Sequence, residues 1–118
     1  MTKVLIIDDE RPIRETLDML LREKGYEVLT SESGEKGLAL IQKNPLDIVI
    51  LDLRLPGMNG IEVMREIRKI FPKIIIILIT AYHNEDVYAE AENFGIYGYL
   101  LKPINIGELE TLIESAVK

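Results

Sequence analysis

Asp47-Ile-Val-Ile-Leu-Asp52-Leu-Arg-Leu-Pro56-Gly57-Met-Asn59-Gly60 is the stretch whose reading decides the fold. Ile48 to Leu51 are β-branched or aliphatic without a polar interruption, which fits a strand buried on both faces of a parallel sheet. The run stops on a carboxylate, Asp52. Pro56, Gly57 and Gly60 then prevent the strand from continuing. An acid at the carboxyl end of a buried parallel strand stands at the rim where open α/β sheets place their ligands.

Working outward, the same strand-then-helix pattern recurs along the chain. Lys3–Ile7 is an apolar run ending on Asp8-Asp9-Glu10. Pro12 suits the first turn of a helix that carries Ile13, Leu17, Leu20 and Leu21 on one side and stops at Lys24-Gly25. Tyr26–Thr30 reads as a second strand. Ser31 or Ser33 caps a helix carrying Leu38, Leu40 and Ile41, which Asn44-Pro45 ends. After the third strand, Asn59 with Glu62 resembles a capping box. The helix it opens buries Ile61, Met64, Ile67 and Phe71 before Pro72. Ile74–Ile79 is the most apolar run and ends on Thr80-Ala81. Asn84 caps a helix with Val87, Ala91 and Phe94 inward, stopped by Gly95. Tyr97–Leu101 is a short fifth strand ending on Lys102-Pro103, and Asn105 caps a last helix that buries Leu109, Leu112, Ile113 and Ala116. Five strands alternating with five helices over short loops require right-handed crossovers, hence a parallel sheet covered on both faces. The expected architecture is one doubly wound α/β domain over residues 1–118, a (βα)5 three-layer sandwich.

Composition narrows the function. The chain has 118 residues, 47% of them hydrophobic, enough for a core without metal or disulfide support. Twenty acidic residues against 14 basic ones, a formal net charge of −6, argue against direct nucleic-acid binding. The absence of cysteine excludes disulfides, thiol catalysis and zinc–thiolate sites. No apolar run approaches a membrane span or a signal peptide, so the expectation is a cytoplasmic domain.

In such a fold the strand ends share one edge. In the order 2-1-3-4-5 the switch point falls between strands one and three. Asp8, Asp9 and Asp52 would then crowd one crevice, flanked by Thr80 and Lys102. Two unit charges about 4 Å apart interact by roughly 4 kcal/mol at an effective dielectric near 20. One lysine cannot offset three such acids; a hard divalent cation can, and an all-oxygen set favours Mg²⁺ or Mn²⁺. Lys102 and the Thr80 hydroxyl would be left to meet phosphoryl oxygens. A carboxylate nucleophile beside them matches phosphoryl transfer to an aspartate.

Four motifs now stand in order at strand ends: Ile-Ile-Asp8-Asp9-Glu10, Asp52-Leu-Arg-Leu-Pro56-Gly57-Met-Asn-Gly60, Ile-Thr80-Ala81 and Tyr99-Leu-Leu-Lys102-Pro103. Together they resemble the receiver domains of two-component response regulators, a likeness that covers essentially the whole chain. The chemotaxis regulator of that family is a standard example of the 2-1-3-4-5 (flavodoxin-like) order, so the order rests on the resemblance. The resemblance implies that Asp52 is the phosphoacceptor. It implies that Asp9, Asp52 and the backbone carbonyl of Arg54 ligate Mg²⁺, with Asp8 acting through a bound water. Lys102 would contact the phosphoryl group, Thr80 would shift to hydrogen-bond it, and Tyr99 would turn inward in response. Lys102–Pro103 is the candidate cis peptide bond. The sequence departs from the family pattern at none of these positions. Implied partners are a sensor histidine kinase or histidine phosphotransfer protein, and an output domain or downstream protein. A phosphorylation-dependent homodimer through the fourth helix, fifth strand and fifth helix is also implied. The chain would catalyse only its own phosphorylation and dephosphorylation.

Two neighbouring residues stay outside this expected site. Glu10 reads as an acid favoured by the dipole of the first helix. His83, the single histidine, reads as a surface residue. Three other functions compete. A flavodoxin-like carrier would need a hydroxyl-rich phosphate cradle where this chain has Asp-Asp-Glu. An Asp-nucleophile phosphatase would place two acids one residue apart after one strand, the first as nucleophile, whereas here the candidate nucleophile is on the third strand and no substrate-capping insertion is present. A receiver-like module that works without phosphorylation would not need the full acid, Thr and Lys set.

Overall fold

A computed structural model describes residues 1–117. The elements are β1 (Lys3–Ile7), α1 (Arg11–Glu23), β2 (Glu27–Ser31), α2 (Gly34–Lys43), β3 (Ile48–Asp52), α3 (Gly60–Ile70), β4 (Ile75–Thr80), α4 (Glu85–Asn93), β5 (Gly98–Leu101) and α5 (Ile106–Ala116). The sheet is parallel throughout, in the order β2-β1-β3-β4-β5, as expected. None of the described helices is long and apolar enough to cross a membrane.

Strand side chains alternate between faces, and this sorts the core into two layers. Leu5, Ile7, Val49, Leu51, Ile76 and Leu78 pack with Ile41 of α2, with Val63, Met64 and Ile67 of α3, and with Ala91 of α4. Val4, Ile6, Ile48, Ile50, Ile77 and Ile79 face the other way, against Leu17 and Leu21 of α1 and Leu109 and Ile113 of α5. The central strands therefore have no polar face, and every residue of β3 is buried.

Helix ends follow the caps in the sequence. Asn59 and Glu62 form a reciprocal capping box at α3. Ser33, not Ser31, caps α2, and Asn84 and Asn105 cap α4 and α5. In α2, Ile41 is buried and the half-buried Leu38 and Leu40 pack against the same core, while Gly34 and Gly37 are buried as well. A Cβ on Gly37 would fall 2.4 Å from Ile7 Cδ1, and one on Gly34 would fall 2.5 Å from Val63 Cγ2. The helix approaches so closely that its own backbone fills the contact.

Arg68 closes the opposite end of the molecule from the strand carboxyl rim. Its guanidinium donates to the carbonyls of Phe94 (2.5 Å), Ile74 (2.6 Å), Gly95 (3.0 Å) and Pro72 (3.2 Å). These carbonyls follow the C-termini of α3 and α4, where backbone acceptors lack helical partners and the dipoles favour a cation. Burial holds the guanidinium below its ordinary pKa.

Candidate functional site

The register carries Asp8 to Asp52. Val4 pairs with Ile48, Ile6 with Ile50 and Ile7 with Leu51. One step further the pleat sets Asp8 beside Asp52, both facing the α1/α5 side. Asp8 is fully buried and Asp52 is 3% exposed. The residue after Asp8 points away from that face, and Asp9 is exposed.

Lys102 reaches this pair from the end of β5, where its N–H donates to the Thr80 carbonyl at 2.8 Å. Its ammonium hydrogen-bonds Asp52 Oδ2 at 2.8 Å and Glu10 Oε2 at 2.5 Å. It also lies 3.0 Å from Asp8 Oδ2, close enough for an ion pair. That approach is off hydrogen-bond geometry, because Oδ2 remains a buried oxygen with no hydrogen-bond partner. Asp8 Oδ1 accepts from the Glu10 N–H (2.8 Å), and Asp52 Oδ1 accepts from the Arg54 N–H (3.0 Å). The Lys102–Pro103 bond is cis.

Burial pushes the Asp8 carboxyl above its usual range, against the pull of the Glu10 N–H and of Lys102. Burial alone would lower Lys102, but its hydrogen bonds to Asp52 and Glu10 and its close ion pair with Asp8 outweigh this and raise it above the ordinary lysine value. Carboxylate oxygens of Asp8, Glu10 and Asp52 lie within 4.8 Å of one another. Three acids thus surround one ammonium, and one buried oxygen lacks a hydrogen-bond donor. Such an all-oxygen set fits a hard divalent cation. A hydroxyl-rich phosphate cradle of the flavodoxin kind is absent from the loop after β1, which presents Asp8 and Glu10 instead.

Thr80 is buried at the end of β4, with its hydroxyl engaged locally. Oγ1 donates to the Tyr82 carbonyl (3.1 Å) and accepts from the Tyr82 N–H (3.2 Å). Tyr99 is half-buried on β5 and faces away from the acids, its hydroxyl 2.9 Å from His83 Nδ1. Arg54 stands with its guanidinium carbon 5.7 Å from the Tyr82 ring centroid, beside the rim.

The structure therefore brings together Asp8, Asp52 and Lys102 and leaves Asp9 outside the group. It adds Glu10, which the sequence reading set aside. Glu10 is the N-cap residue of α1, yet its side chain makes no capping hydrogen bond. The only signal for it in sequence was a third acid directly after Asp8-Asp9.

With this geometry in view, the likenesses to known proteins are specific. The response regulator receiver domain family matches residues 4–114. The chain is 32% identical over 112 residues to sporulation initiation phosphotransferase F of Bacillus subtilis, covering 95% of this chain and 90% of that protein. It is 35% identical over 116 residues to the hydrogenase transcriptional regulatory protein HoxA of Cupriavidus necator, covering 98% of this chain but 24% of that protein. The chain thus spans nearly all of one relative and about a quarter of the other. Among solved structures, a receiver domain protein of Clostridium thermocellum superposes with a TM-score of 0.92 at 35% identity, covering 99% of this chain and 94% of that one. Chemotaxis protein CheY4 of Vibrio cholerae superposes with a TM-score of 0.92 at 31% identity, covering 98% of each chain. By sequence and by fold over nearly its whole length, the chain belongs to the response regulator receiver domains of two-component systems.

Proposed function

We propose that this receiver domain is a phosphorylation-activated switch whose acceptor is Asp52. The donor is a phosphohistidine on a sensor histidine kinase or a histidine phosphotransfer protein. An Asp52 carboxylate oxygen attacks phosphorus, and the new O–P bond forms as the N–P bond breaks. The electron pair of that bond returns to the imidazole nitrogen, which takes up a proton. The observation that carries this reading is the placement of Asp52, a buried carboxylate at the carboxyl end of the central strand with Lys102 Nζ at 2.8 Å.

Mg²⁺, or Mn²⁺ in its place, is the cofactor on this reading. Asp9, Asp52 and the Arg54 carbonyl would hold it, with Asp8 acting through a bound water; Asp9 is exposed, so its carboxylate can turn to the rim at small cost. The metal supplies charge neutralisation for the acids and for the transferred phosphoryl oxygens. Lys102 orients and neutralises a further oxygen. Thr80 exchanges its local bonds to Tyr82 for the phosphoryl group, and Tyr99 turns inward. The surface that changes is formed by α4, β5 and α5, where Tyr97 (45%) and Leu101 (51%) are exposed. An output domain, a downstream protein or a second copy of the chain would read that surface.

Acetyl phosphate with Mg²⁺ tests the assignment. Wild type should become labelled and Asp52→Asn should not. Labelling retained in Asp52→Asn would show that the acceptor lies elsewhere.

A further inference from the structure

Lys102 has three ammonium hydrogens and three carboxylates around it, at 2.5 Å (Glu10), 2.8 Å (Asp52) and 3.0 Å (Asp8). Its side chain is 9% exposed, so its hydrogens have little access to water. Glu10 and Asp52 each take one of those hydrogens, and Asp8 adds an ion-pair contact off hydrogen-bond geometry. A phosphoryl anion arriving on Asp52 competes with these acids for the same ammonium charge, and one of them gives way. Asp8 cannot do so readily: its side chain is fully buried and its Oδ1 is held by the Glu10 N–H. Asp52 carries the incoming group. Glu10 is the remaining acid, and its side chain is 54% exposed. It can leave for water at small desolvation cost. Its departure does not unmake α1, because the helix takes no capping hydrogen bond from it.

We propose that Glu10 is a built-in competitor for Lys102, a tethered carboxylate that occupies the lysine in the resting state and restrains phosphorylation until it is displaced. This rests on Asp52 being the acceptor. Glu10 is a positioning residue here: it acts on Lys102 and also repels the approaching phosphoryl anion. It has the opposite effect from Asp8 and Asp52, whose charges draw the metal in.

Glu10→Gln keeps the shape and removes the charge. The rate of labelling by acetyl phosphate at saturating Mg²⁺ should rise roughly two- to fivefold, the scale of one half-exposed ion pair. The gap between Glu10→Gln and wild type should narrow as salt is raised, since an exposed charge is screened. Glu10→Ala should behave as Glu10→Gln does. Mg²⁺ titrated calorimetrically without a phosphodonor should bind both proteins alike to within a fewfold. Equal or slower labelling of Glu10→Gln would overturn the proposal. A tenfold or greater loss of Mg²⁺ affinity would also overturn it, by making Glu10 a metal ligand. If wild type itself is not labelled, or if Asp52→Asn is, the acceptor assignment has failed instead.

Discussion

His83 Nδ1 lies 2.9 Å from the Tyr99 hydroxyl, with the two rings nearly perpendicular at 79° and their centroids 5.6 Å apart. Tyr88 of α4 adds a second edge contact to Tyr99, at 4.7 Å and 78°. The phenol is thus held outward, between the loop after Thr80 and the start of α4. His83→Ala removes the hydrogen bond and two ring contacts, to Tyr99 and to Tyr88, and should cost about 0.5–1 kcal/mol in urea unfolding. The Tyr99 ring resonances should shift toward those of a rotating side chain. Unmoved resonances would mean that His83 does not hold the ring.

Mg²⁺ should stabilise the unphosphorylated protein. At ten times its dissociation constant a ligand specific for the folded state contributes about 1.4 kcal/mol, enough to raise the melting temperature by several degrees. Asp8→Asn, which removes the buried acid with the unpartnered oxygen, should abolish most of that rise. A wild-type melting temperature indifferent to millimolar Mg²⁺ would count against a metal in the acidic group.

Arg54 and Tyr82 follow Asp52 and Thr80 by two residues and stack at 5.7 Å beside the rim. They should screen an acyl phosphate on Asp52 from water. Arg54→Ala and Tyr82→Ala should each shorten the life of the labelled protein in a decay assay. Unchanged decay in both would remove this shielding role.

Gly60 admits no side chain. A Cβ there would stand 2.7 Å from Leu53 Cα and 2.9 Å from the carbonyl oxygens of Asp52 and Leu53. These are backbone atoms at the end of a buried strand and cannot yield. Gly60→Ala should cost about 1–3 kcal/mol through overpacking and slow labelling at Asp52 by shifting the loop that follows it. Full stability with full labelling would show that α3 can move away freely.

Arg68→Ala leaves carbonyls at two helix ends without their donor and should lower stability by about 2–3 kcal/mol. Arg68→Lys should recover only part of this, because an ammonium cannot fork to four acceptors as a guanidinium does. Denaturant midpoints for the two variants decide it; an Arg68→Ala midpoint equal to wild type would make the contacts energetically idle.

The sheet was legible because β1, β3 and β4 are buried on both faces, so their apolar runs end sharply on Asp8, Asp52 and Thr80. The caps were legible because they are local, with Asn59 and Glu62 only three residues apart. What stayed hidden depends on direction or distance. Asp8 and Asp9 are neighbours of identical chemistry, and only the pleat, set by pairing with β3, decides which one faces Asp52. Glu10 has a sufficient local explanation in the dipole of α1, while its partner Lys102 lies 92 residues away. Gly34 and Gly37 carry no apolar signal, so nothing in the sequence announced a contact made by the backbone of α2. His83 and Tyr99 belong to different elements, and nothing in their spacing announces the bond between them.

The four carbonyls gathered by Arg68 bear on motion as well as stability. The C-terminal end of α4 is tied by Arg68 of α3, whereas its start, near His83 and Tyr88, rests on ring contacts, the half-buried Val87 and an exposed Asn84 cap. Ala91 is the one α4 residue that is fully buried, and it lies near the tied end. Should α4 move, Arg68 would act as the fulcrum of a lever. Loss of the aromatic contacts around Tyr99 would swing the Glu85 end through the larger arc and leave the Asn93 end nearly still.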